Sequence, residues 1–575
     1  MKLIKKKIPN HLKNYIVTQN YKNYSYIDHA CWRYIMKISE KFFAKHADPI
    51  YLRGLKQTGI TLDKIPNINS INKKLNKFGW KAVCVRGFIP PQIFMEFQSK
   101  QILPIAADMR THKHLTYTPA PDIVHEAAGH APIIANKEYS DYLKAYGEVA
   151  TKAIMSSEDM NLYYAIRDLS NIKEDLSATK YKIKKYENNL KNAYNNISYT
   201  SESAMLSRMN WWTVEYGLIG NINKPKIYGA GLLSSVGESE NCLSNKIKKI
   251  PFNLDCINYS YDITEQQPQL FVTRNYKHLT KILKKLSKKM SYKIGGKLGL
   301  KSAIKAKTPC SVEIDCSIQV SGIVDSYILH RDKPIFIKLN KGVQISYKNK
   351  QLKGHGIDYH SDGFSTPLGK LKKSKKTINQ LSDRLLKENN IIKNHTSKIE
   401  FQSGVIVVGK IEKIVRKHSK IILITFNNCT VKYKNKILFD PKWGKFDMIC
   451  GEKINSVFFD YADKNEFYKK CKSTELKNYN KDIKPKINNL LNELYRKMNK
   501  IRNNKVSSIT LKNIYNNVYQ NFNNEWLLKF EILELAKKNK FNKSWVQKIN
   551  DDLLILSSKK NDIGRAIKRG LELIK

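Results

Sequence analysis

The sequence predicts a mainly α domain, then a β-rich domain, and finally a C-terminal helical segment. Apolar residues recur at helical spacing through most of residues 25–301. Past Pro309 they alternate with polar residues, which is the period of a strand, and from about Lys486 the helical spacing returns. A chain of 575 residues is too long for one ordinary core, so several structural units are expected.

The predicted domain boundaries follow these changes of period. Residues 1–24 are a basic tail, 25–301 the mainly α domain, 309–470 the β-rich domain and 480–575 the helical region. Within the first domain, the apolar positions of residues 156–203 are separated by Lys, Asn and Glu at helical spacing. This insertion is therefore predicted to be a helical hairpin on the surface.

Local signals predict the elements of the first domain. Ser25 and Asp28 resemble a capping box, followed by an apolar stripe, so residues 25–45 are predicted to form a helix. A strand is predicted at 80–88, and Pro90 and Pro91 open a helix. Asp122 is a candidate N-cap for the next helix. The later predictions are a helix at 201–220, a Gly-rich loop at 228–237 and a basic helix at 276–290.

In the second half of the chain, the secondary structure is predicted mainly from the spacing of apolar residues. Residues 312–320 alternate strictly between apolar and polar side chains, which is typical of a strand. Residues 371–398 are charged and contain Ser and Thr, so they are predicted to be a linker or an exposed helix. The remaining predictions are strands at 405–408, 421–426, 431–433 and 456–459, and helices at 487–501 and 526–536.

Composition excludes several classes of protein. The net charge of +52 comes mostly from lysine spread along the whole chain, whereas a nucleic-acid surface concentrates basic residues and uses more arginine, so nucleic acid is not expected as a partner. The nine cysteines form no CxxC pair, which favours reduced thiols over disulfides. No apolar run is long enough for a membrane span, and the basic start lacks the apolar part of a signal peptide. A cytoplasmic protein without a membrane partner is expected.

One segment carries most of the chemistry. Residues 117–132 read YTPAPDIVHEAAGHAP, in which His125 and His130 lie among small and apolar side chains. Imidazole nitrogens are ligands of iron, zinc, copper and nickel. The spacing is i and i+5, which diverges by about 140° on a regular α-helix. A shared metal therefore requires a π-type widening, or a helix end near Gly129.

A third ligand is predicted in residues 211–218, WWTVEYGL, where Glu215 is a lone carboxylate in an aromatic and apolar segment. A buried glutamate is unfavourable unless it is paired or bound to metal. Two histidines and one carboxylate leave open positions on an octahedral ion, as oxygen-activating iron(II) chemistry requires.

These motifs, together with YGAGLLSS at 228–235, resemble the signature of the pterin-dependent aromatic amino acid hydroxylases. The likeness covers residues 26–301 and is greatest to the phenylalanine 4-monooxygenase type, in the long form of Bacteroidetes-like bacteria. It implies the aromatic amino acid hydroxylase fold for the catalytic domain. It also implies a reaction in which O2, a tetrahydropterin and non-haem Fe(II) hydroxylate the ring of a free aromatic amino acid, with phenylalanine to tyrosine as the first choice.

The resemblance also implies a role for each matching residue. Arg110 would pair with the substrate carboxylate through its bidentate fork, and Glu126 would reach the pterin through water. The implied metal ligands are His125, His130 and Glu215; the implied substrate contacts are Arg110, Thr118, Trp211, Gly231 and Ser234; and the implied pterin contacts are Phe94, Gly87 and Ile89.

Two other functions stay open at this point. A zinc-dependent hydrolase could use the same histidines with Glu126 as general base, and a basic nucleic-acid-binding protein could use the C-terminal half. The C-terminal half shows no convergent set of acid, base and nucleophile, and His355 and His360 are predicted to be structural. The oligomeric state is not predicted.

Overall fold

The structure is a computed structural model of the chain. It describes residues 8–112, 115, 121–175, 177–262, 266–470, 489–502, 504, 506–541, 543–559 and 561–574. Within those ranges, no helix combines the length and the apolar character that crossing a bilayer would need.

The described residues between 8 and 306 are mainly helical, with two short stretches of π-helix. The α-helices are α1 (Asn10–Lys13), α2 (Tyr26–His46), α3 (Pro49–Thr58), α4 (Ile68–Leu75), α5 (Pro91–Ser99), α6 (Ala131–Ile134), α7 (Lys137–Ala150), α8 (Ser157–Glu174), α9 (Lys180–Asn195), α10 (Glu202–Asn210), α11 (Ala230–Leu233), α12 (Val236–Leu243), α13 (Tyr276–Ser287), α14 (Ser291–Ile294) and α15 (Gly296–Ala306). The π-helices are π1 (Val124–His130) and π2 (Trp211–Glu215).

Helix α2 begins at the predicted capping box. The Ser25 hydroxyl accepts the Asp28 amide at 3.1 Å, and the Asp28 carboxylate accepts the Ser25 amide at 2.8 Å. These two bonds satisfy N–H groups that the first turn of a helix leaves unpaired. The prediction of a helix at 25–45 is confirmed within one residue at each end.

Two helices, α8 and α9, occupy the region of the hairpin predicted at 156–203. Ser156 and Thr179 cap the two helices through their hydroxyls. Helix α9 has no buried residue in the described part of the chain, whereas the Tyr163 hydroxyl of α8 donates to the Phe88 carbonyl at 3.2 Å. The hairpin therefore lies outside the core but touches the loop after the first strand.

Two small sheets accompany these helices. They contain β1 (Lys81–Val85), β2 (Ile102–Ala106), β3 (Leu218–Ile219), β4 (Lys226–Ile227), β5 (Lys248–Pro251) and β6 (Gln269–Thr273). Strands β1 and β2 pair in parallel, and the other four lie in the order β4-β3-β6-β5. The strand predicted at 80–88 is shorter than expected, because the chain turns at Gly87, which has a φ of 55°.

Two predictions for this region are wrong in part. The helix predicted at 201–220 ends at Glu215, because the chain turns at Gly217 to enter β3, where an added Cβ would meet the Thr213 carbonyl at 2.1 Å. The loop predicted at 228–237 contains the four-residue helix α11, with Ala230, Leu232 and Leu233 buried. The glycines of this stretch favoured a loop in the prediction, but its apolar side chains are buried and form a helical turn.

Residues 309–459 form two antiparallel sheets. Their strands are β7 (Pro309–Ile314), β8 (Ile318–His330), β9 (Lys333–Tyr347), β10 (Lys350–Gln351), β11 (Phe364–Pro367), β12 (Thr396–Glu400), β13 (Val405–Lys417), β14 (Lys420–Tyr433), β15 (Lys436–Phe439), β16 (Phe446–Ile449) and β17 (Ile454–Phe459). One sheet has the order β10-β9-β8-β7-β17 with β11 on β9, and the other has the order β12-β13-β14-β15 with β16 on β14.

The sequence divided these strands wrongly in two places. The alternation at 312–320 continues through a tight turn at Ser317, which has a φ of 63°, so it belongs to β7 and β8 rather than to one strand. The strands predicted at 421–426 and 431–433 are a single strand, β14. An irregularity in its pairing with β13, near Asn428, interrupts its period.

The prediction of a linker or an exposed helix at residues 371–398 is right only for a short part of the segment. This segment contains the short helix α16 (Asp383–Glu388), and the side chains of Leu371, Ile378 and Leu386 are buried in the core of the second sheet. These apolar residues are widely spaced among lysines, and their spacing fits neither a helix nor a strand. The sequence therefore did not predict that they are buried.

The last helices pack against the first domain. They are α17 (Lys464–Lys470), α18 (Asn489–Arg502), α19 (Ser508–Asn521), α20 (Trp526–Lys538), α21 (Ser544–Ser557) and α22 (Asp562–Leu573). Arg33 of α2 and Glu531 of α20 form a buried ion pair at 2.6 Å. The Tyr34 ring meets the rings of Trp526 and Phe530 edge-on at 5.1 and 5.2 Å. One hydrophobic core thus includes side chains of both regions.

Candidate metal centre

His125 and His130 project from the π-helix π1. The wider turn of this helix brings side chains five residues apart to one side, and the two Nε2 atoms are 3.2 Å apart. The widening predicted from the i, i+5 spacing is confirmed. Gly129 permits the close packing of π1 on α11, since a Cβ there would lie 2.7 Å from the Ala230 carbonyl oxygen.

Glu215 reaches the two histidines from the second π-helix, π2. Its carboxylate oxygens lie 3.4 Å from Nε2 of His125 and 3.5 Å from Nε2 of His130. One ligand atom from each of the three residues lies within 4.8 Å of the others, an arrangement that could hold a metal ion. The predicted convergence of two imidazoles and a distant carboxylate is therefore present in the structure.

The charges of these three groups depend on one another. Although burial opposes protonation, the Glu215 carboxylate raises the pKa of His125 to about 9. Burial lowers the pKa of His130 to about 4. Burial also works against ionisation of Glu215, but the two imidazoles hold its pKa below the ordinary value. A metal ion at this point would take the place of the His125 proton, because a ligating imidazole must be neutral at that nitrogen.

Ser234 sets the orientation of the His125 ring. Its hydroxyl donates to the Gly231 carbonyl at 3.1 Å, so its oxygen can accept from Nδ1 of His125, also at 3.1 Å. With the proton on Nδ1, the lone pair of Nε2 points toward His130 and Glu215. Gly231 itself lies against the backbone of Glu215, where a Cβ would be 3.0 Å from the carbonyl oxygen.

Glu126 lies beside the same point and is buried. Its Oε2 is 3.7 Å from Nε2 of His130 and has no hydrogen-bond partner within the described ranges. Burial, helped by Glu215 and opposed by His125, raises the pKa of Glu126 to about 8. An unpaired buried carboxyl oxygen can take a hydrogen bond from a bound water or ligand.

Arg110 is held next to π1 by Asp122. Its Nε and Nη2 donate to the two Asp122 oxygens at 2.7 and 2.8 Å, and Nη1 is 3.5 Å from the Ser234 carbonyl oxygen. Asp122 also accepts the His125 amide at 3.0 Å, as predicted for a residue that caps this helix. The guanidinium is thus fixed between π1 and the loop that carries Ser234.

The other predicted site residues are Trp211, Ile89, Phe94, Gly87 and Thr118. Trp211 stacks between the rings of Tyr216 and Tyr261, at centroid distances of 4.6 and 4.4 Å. Ile89 belongs to a small separate hydrophobic cluster, against which the half-buried Phe94 packs. Gly87 lies in the loop after β1, and Thr118 lies outside the described residues.

The family comparison decides the identity of the first half of the chain. A family described as "Biopterin-dependent aromatic amino acid hydroxylase" matches residues 4–205 and 199–297, just over half of the 575 residues. The chain belongs to this family. It is therefore a pterin-dependent aromatic amino acid monooxygenase, as the three motifs predicted, and nothing in the comparisons supports a zinc-dependent hydrolase or a nucleic-acid-binding protein.

Named relatives agree with the family. The phenylalanine-4-hydroxylase of Chromobacterium violaceum is 30% identical over 269 residues, covering 46% of this chain and 76% of the relative. That of Pseudomonas aeruginosa is 28% identical over 262 residues, covering 45% and 83%. A crystal structure of the Chromobacterium enzyme with bound oxidised Fe(III) has 28% identity, covers 48% of this chain and 86% of that one, and has a TM-score of 0.38.

The sequence reasoning about this hydroxylase missed the role of Asp122. It assigned Asp122 only to a helix N-terminus, whereas the same carboxylate also pairs with Arg110. The burial of Asp122 is seen only in the structure, and a buried acid needs a cationic partner.

Proposed function

We propose that this hydroxylase converts free phenylalanine to tyrosine with O2, a tetrahydropterin and Fe(II), and that His125, His130 and Glu215 hold the iron. The observation that carries the proposal is the convergence of these three side chains, with donor atoms 3.2–3.5 Å apart. Ligand atoms around an ion with bonds of about 2.0–2.2 Å are separated by about 3.0–3.6 Å.

The surroundings of the three ligands fit this assignment. Two nitrogens and one carboxylate match iron(II) with open positions for other ligands. The Ser234 hydroxyl keeps the His125 proton on Nδ1, so that Nε2 is free to bind. When bound, iron and the pterin supply the oxygen activation that amino acid side chains lack.

Substrate binding is proposed to depend on Arg110. Its Nη1 makes only long contacts, at 3.5 Å, to the carbonyl oxygens of Leu115 and Ser234, so Nη1 and the second hydrogen of Nη2 could turn to the amino acid carboxylate as a pair. The aromatic side chain of the substrate would lie among Trp211, Thr118, Gly231 and Ser234. The relatives named phenylalanine-4-hydroxylase favour phenylalanine as the substrate.

Pterin binding is proposed to use the segment after β1. The Phe94 ring would stack on the cofactor, while Gly87 and Ile89 would contact it through their backbone. Glu126 would hold a water to the pterin, since its buried Oε2 is available as an acceptor. We further propose a cytoplasmic location and the domain boundaries 1–24, 25–301, 309–470 and 480–575 given above.

A product assay tests this function. The full chain, with iron(II), a tetrahydropterin and air, is offered phenylalanine, tyrosine or tryptophan separately. We expect tyrosine from phenylalanine, at a rate that falls when either iron or pterin is left out. Formation of a product without the pterin would contradict the proposal.

The Glu215→Ala variant tests the assignment of the metal ligands. This variant should lose both iron and turnover and keep its circular dichroism spectrum, because the change removes a ligand and no core side chain. Full activity with iron retained would remove Glu215 from the site.

A further inference from the structure

The β-rich region contains a second convergence of two histidines and a carboxylate. His355 and His360 lie on the loop between β10 and β11, and Asp447 lies on β16. Nδ1 of His355 is 3.3 Å from Nε2 of His360, and the Asp447 Oδ2 is 3.9 and 4.0 Å from these two nitrogens. All three residues are buried. The sequence showed no acidic partner for these two histidines, and the structure places Asp447 beside them.

The fold holds the two histidines rigidly. Their carbonyl groups accept backbone hydrogen bonds from β9, from Ile345 to His355 at 3.0 Å and from Val343 to His360 at 3.1 Å. The loop closes at Gly363, which has a φ of 122° and lies so near β9 that a Cβ would be 2.6 Å from the Leu339 carbonyl oxygen. Ligands of a metal need this kind of fixed backbone.

The carboxylate is fixed from the other sheet. Asp447 pairs with Thr425 of β14, and its Oδ1 accepts the Thr425 hydroxyl at 2.5 Å. This bond directs Oδ2 toward the two imidazoles. The cluster therefore lies where β9 and its loop, from the six-stranded sheet, face β14 and β16, from the five-stranded sheet.

The distances are unlike those of an ordinary buried ion pair. Oδ2 of Asp447 lies beyond hydrogen-bond distance of both imidazole nitrogens. Asp447 is hydrogen-bonded to the hydroxyls of Thr425 and Tyr359, but it makes no charge-assisted bond to either histidine, so the loss of its hydration is only partly compensated. An ion placed between the three donor atoms would satisfy all of them.

We propose that His355, His360 and Asp447 bind a second divalent transition-metal ion, zinc or iron(II). Two imidazoles and one carboxylate form a donor set of these ions. The nitrogen separation of 3.3 Å already matches ligands on one ion. The carboxylate would close by about half an ångström, to the separation of about 3.0–3.6 Å expected around such an ion.

The position of this ion indicates its role. It would join the two sheets at a buried point, under the Tyr359 ring, which lies edge-on to His355 and His360 at centroid distances of 5.4 and 4.7 Å. An ion that binds the folded chain and not the unfolded chain stabilises the fold. The second ion therefore acts on the stability of the β-rich region, apart from the hydroxylation centre.

Metal content of the full chain tests the proposal. Elemental analysis of the purified protein should give about two equivalents of metal per chain, and about one each for His125→Ala and for His360→Ala. His395→Ala, a change of an exposed histidine of the same region, should stay at about two. Equal metal content in His360→Ala and the unchanged chain would overturn the proposal.

A second test, cobalt(II) titration, distinguishes loss of the metal site from misfolding of a variant. In a His125→Ala/His130→Ala chain, added cobalt should give visible absorption bands from the second site alone. Adding Asp447→Asn, which keeps an oxygen for the Thr425 hydroxyl, should remove or shift those bands while the circular dichroism stays the same. Absence of bands before that change, or unchanged bands after it, would each refute a site at these residues.

Discussion

The Arg110 guanidinium and the Asp122 carboxylate are joined at two points, Nε to Oδ2 at 2.7 Å and Nη2 to Oδ1 at 2.8 Å. Oδ1 of Asp122 also accepts the amide of His125 at 3.0 Å. One buried carboxylate thus fixes both the proposed substrate-binding cation and the backbone of a proposed metal ligand. A change of Arg110 should therefore lower mainly the affinity for substrate, whereas a change of Asp122 should lower the affinities for both substrate and metal.

Arg110→Ala should therefore raise KM for phenylalanine by about 10- to 100-fold, the loss of a charge-assisted pair, with a smaller effect on iron content. Asp122→Asn should impair both, because it weakens the hold on Arg110 and on π1 together. Steady-state kinetics and iron analysis of the two variants check this. Equal losses of substrate and iron affinity in Arg110→Ala would contradict the assigned role.

Ser234→Ala should weaken metal binding without removing a ligand. Loss of the hydroxyl frees the His125 ring to rotate and to move its proton to Nε2, the nitrogen that must stay unprotonated. Loss of such a supporting hydrogen bond costs about 10- to 100-fold in metal affinity. Competition with a coloured chelator measures the change, and Ser302→Ala is the control, because this half-buried serine bonds only to the Leu298 carbonyl of its own helix, α15. Affinity unchanged in Ser234→Ala would show that other contacts orient the ring.

The sequence predicted the first centre because its ligands lie within short, recognisable segments. His125, Gly129 and His130 lie within six consecutive residues, and the spacing of the histidines required a π-turn or a helix end, of which π1 provides the first. Glu215 was detectable as a lone charge among aromatic side chains. The spacing of residues could not show that Glu215 lies beside the two histidines. The resemblance to the hydroxylase family implied that it does.

The second cluster gave no such signal. His355 and His360 have the same i, i+5 spacing, but their partner lies on a strand of another sheet, and nothing local links Asp447 to them. The packing of α20 on α2 was hidden for the same reason. Periodicity shows which face of a helix is apolar, but it does not show which other face covers it.

The C-terminal helices should be required for the stability of the hydroxylase region. Glu531 pairs with Arg33 at 2.6 Å and lies 3.3 Å from Arg502, so its removal leaves the buried Arg33 without its ion pair and leaves Arg502 with Glu534 alone. Glu531→Ala should lower the free energy of unfolding by about 3–5 kcal/mol. Chemical denaturation measures this. Asp562→Ala removes an exposed pair with Arg565 and should cost under about 1 kcal/mol, so similar losses in both variants would contradict the prediction.

The contact between the two halves near α5 should depend on pH. Glu96 accepts from His11 at 3.0 Å and lies 3.4 Å from Nζ of Lys464 on α17. Although burial favours the neutral acid, Lys464 and His11 hold the pKa of Glu96 at about 2, below the ordinary 4.5. The folded protein therefore binds fewer protons than the unfolded chain between these two pH values. The ionised carboxylate contributes its full stability above about pH 4.5 and loses it as the pH falls toward 2.

Glu96→Gln should consequently destabilise the protein at pH 7 by about 3 kcal/mol, the equivalent of this difference in pKa. The gap between variant and unchanged chain should narrow steadily as the pH is lowered from 4.5 toward 3, because the unchanged chain loses the same stabilisation by protonation. Urea unfolding at a series of pH values measures both curves. A gap that is independent of pH over this range would mean that Glu96 acts through shape and hydrogen bonding rather than through its charge on Lys464.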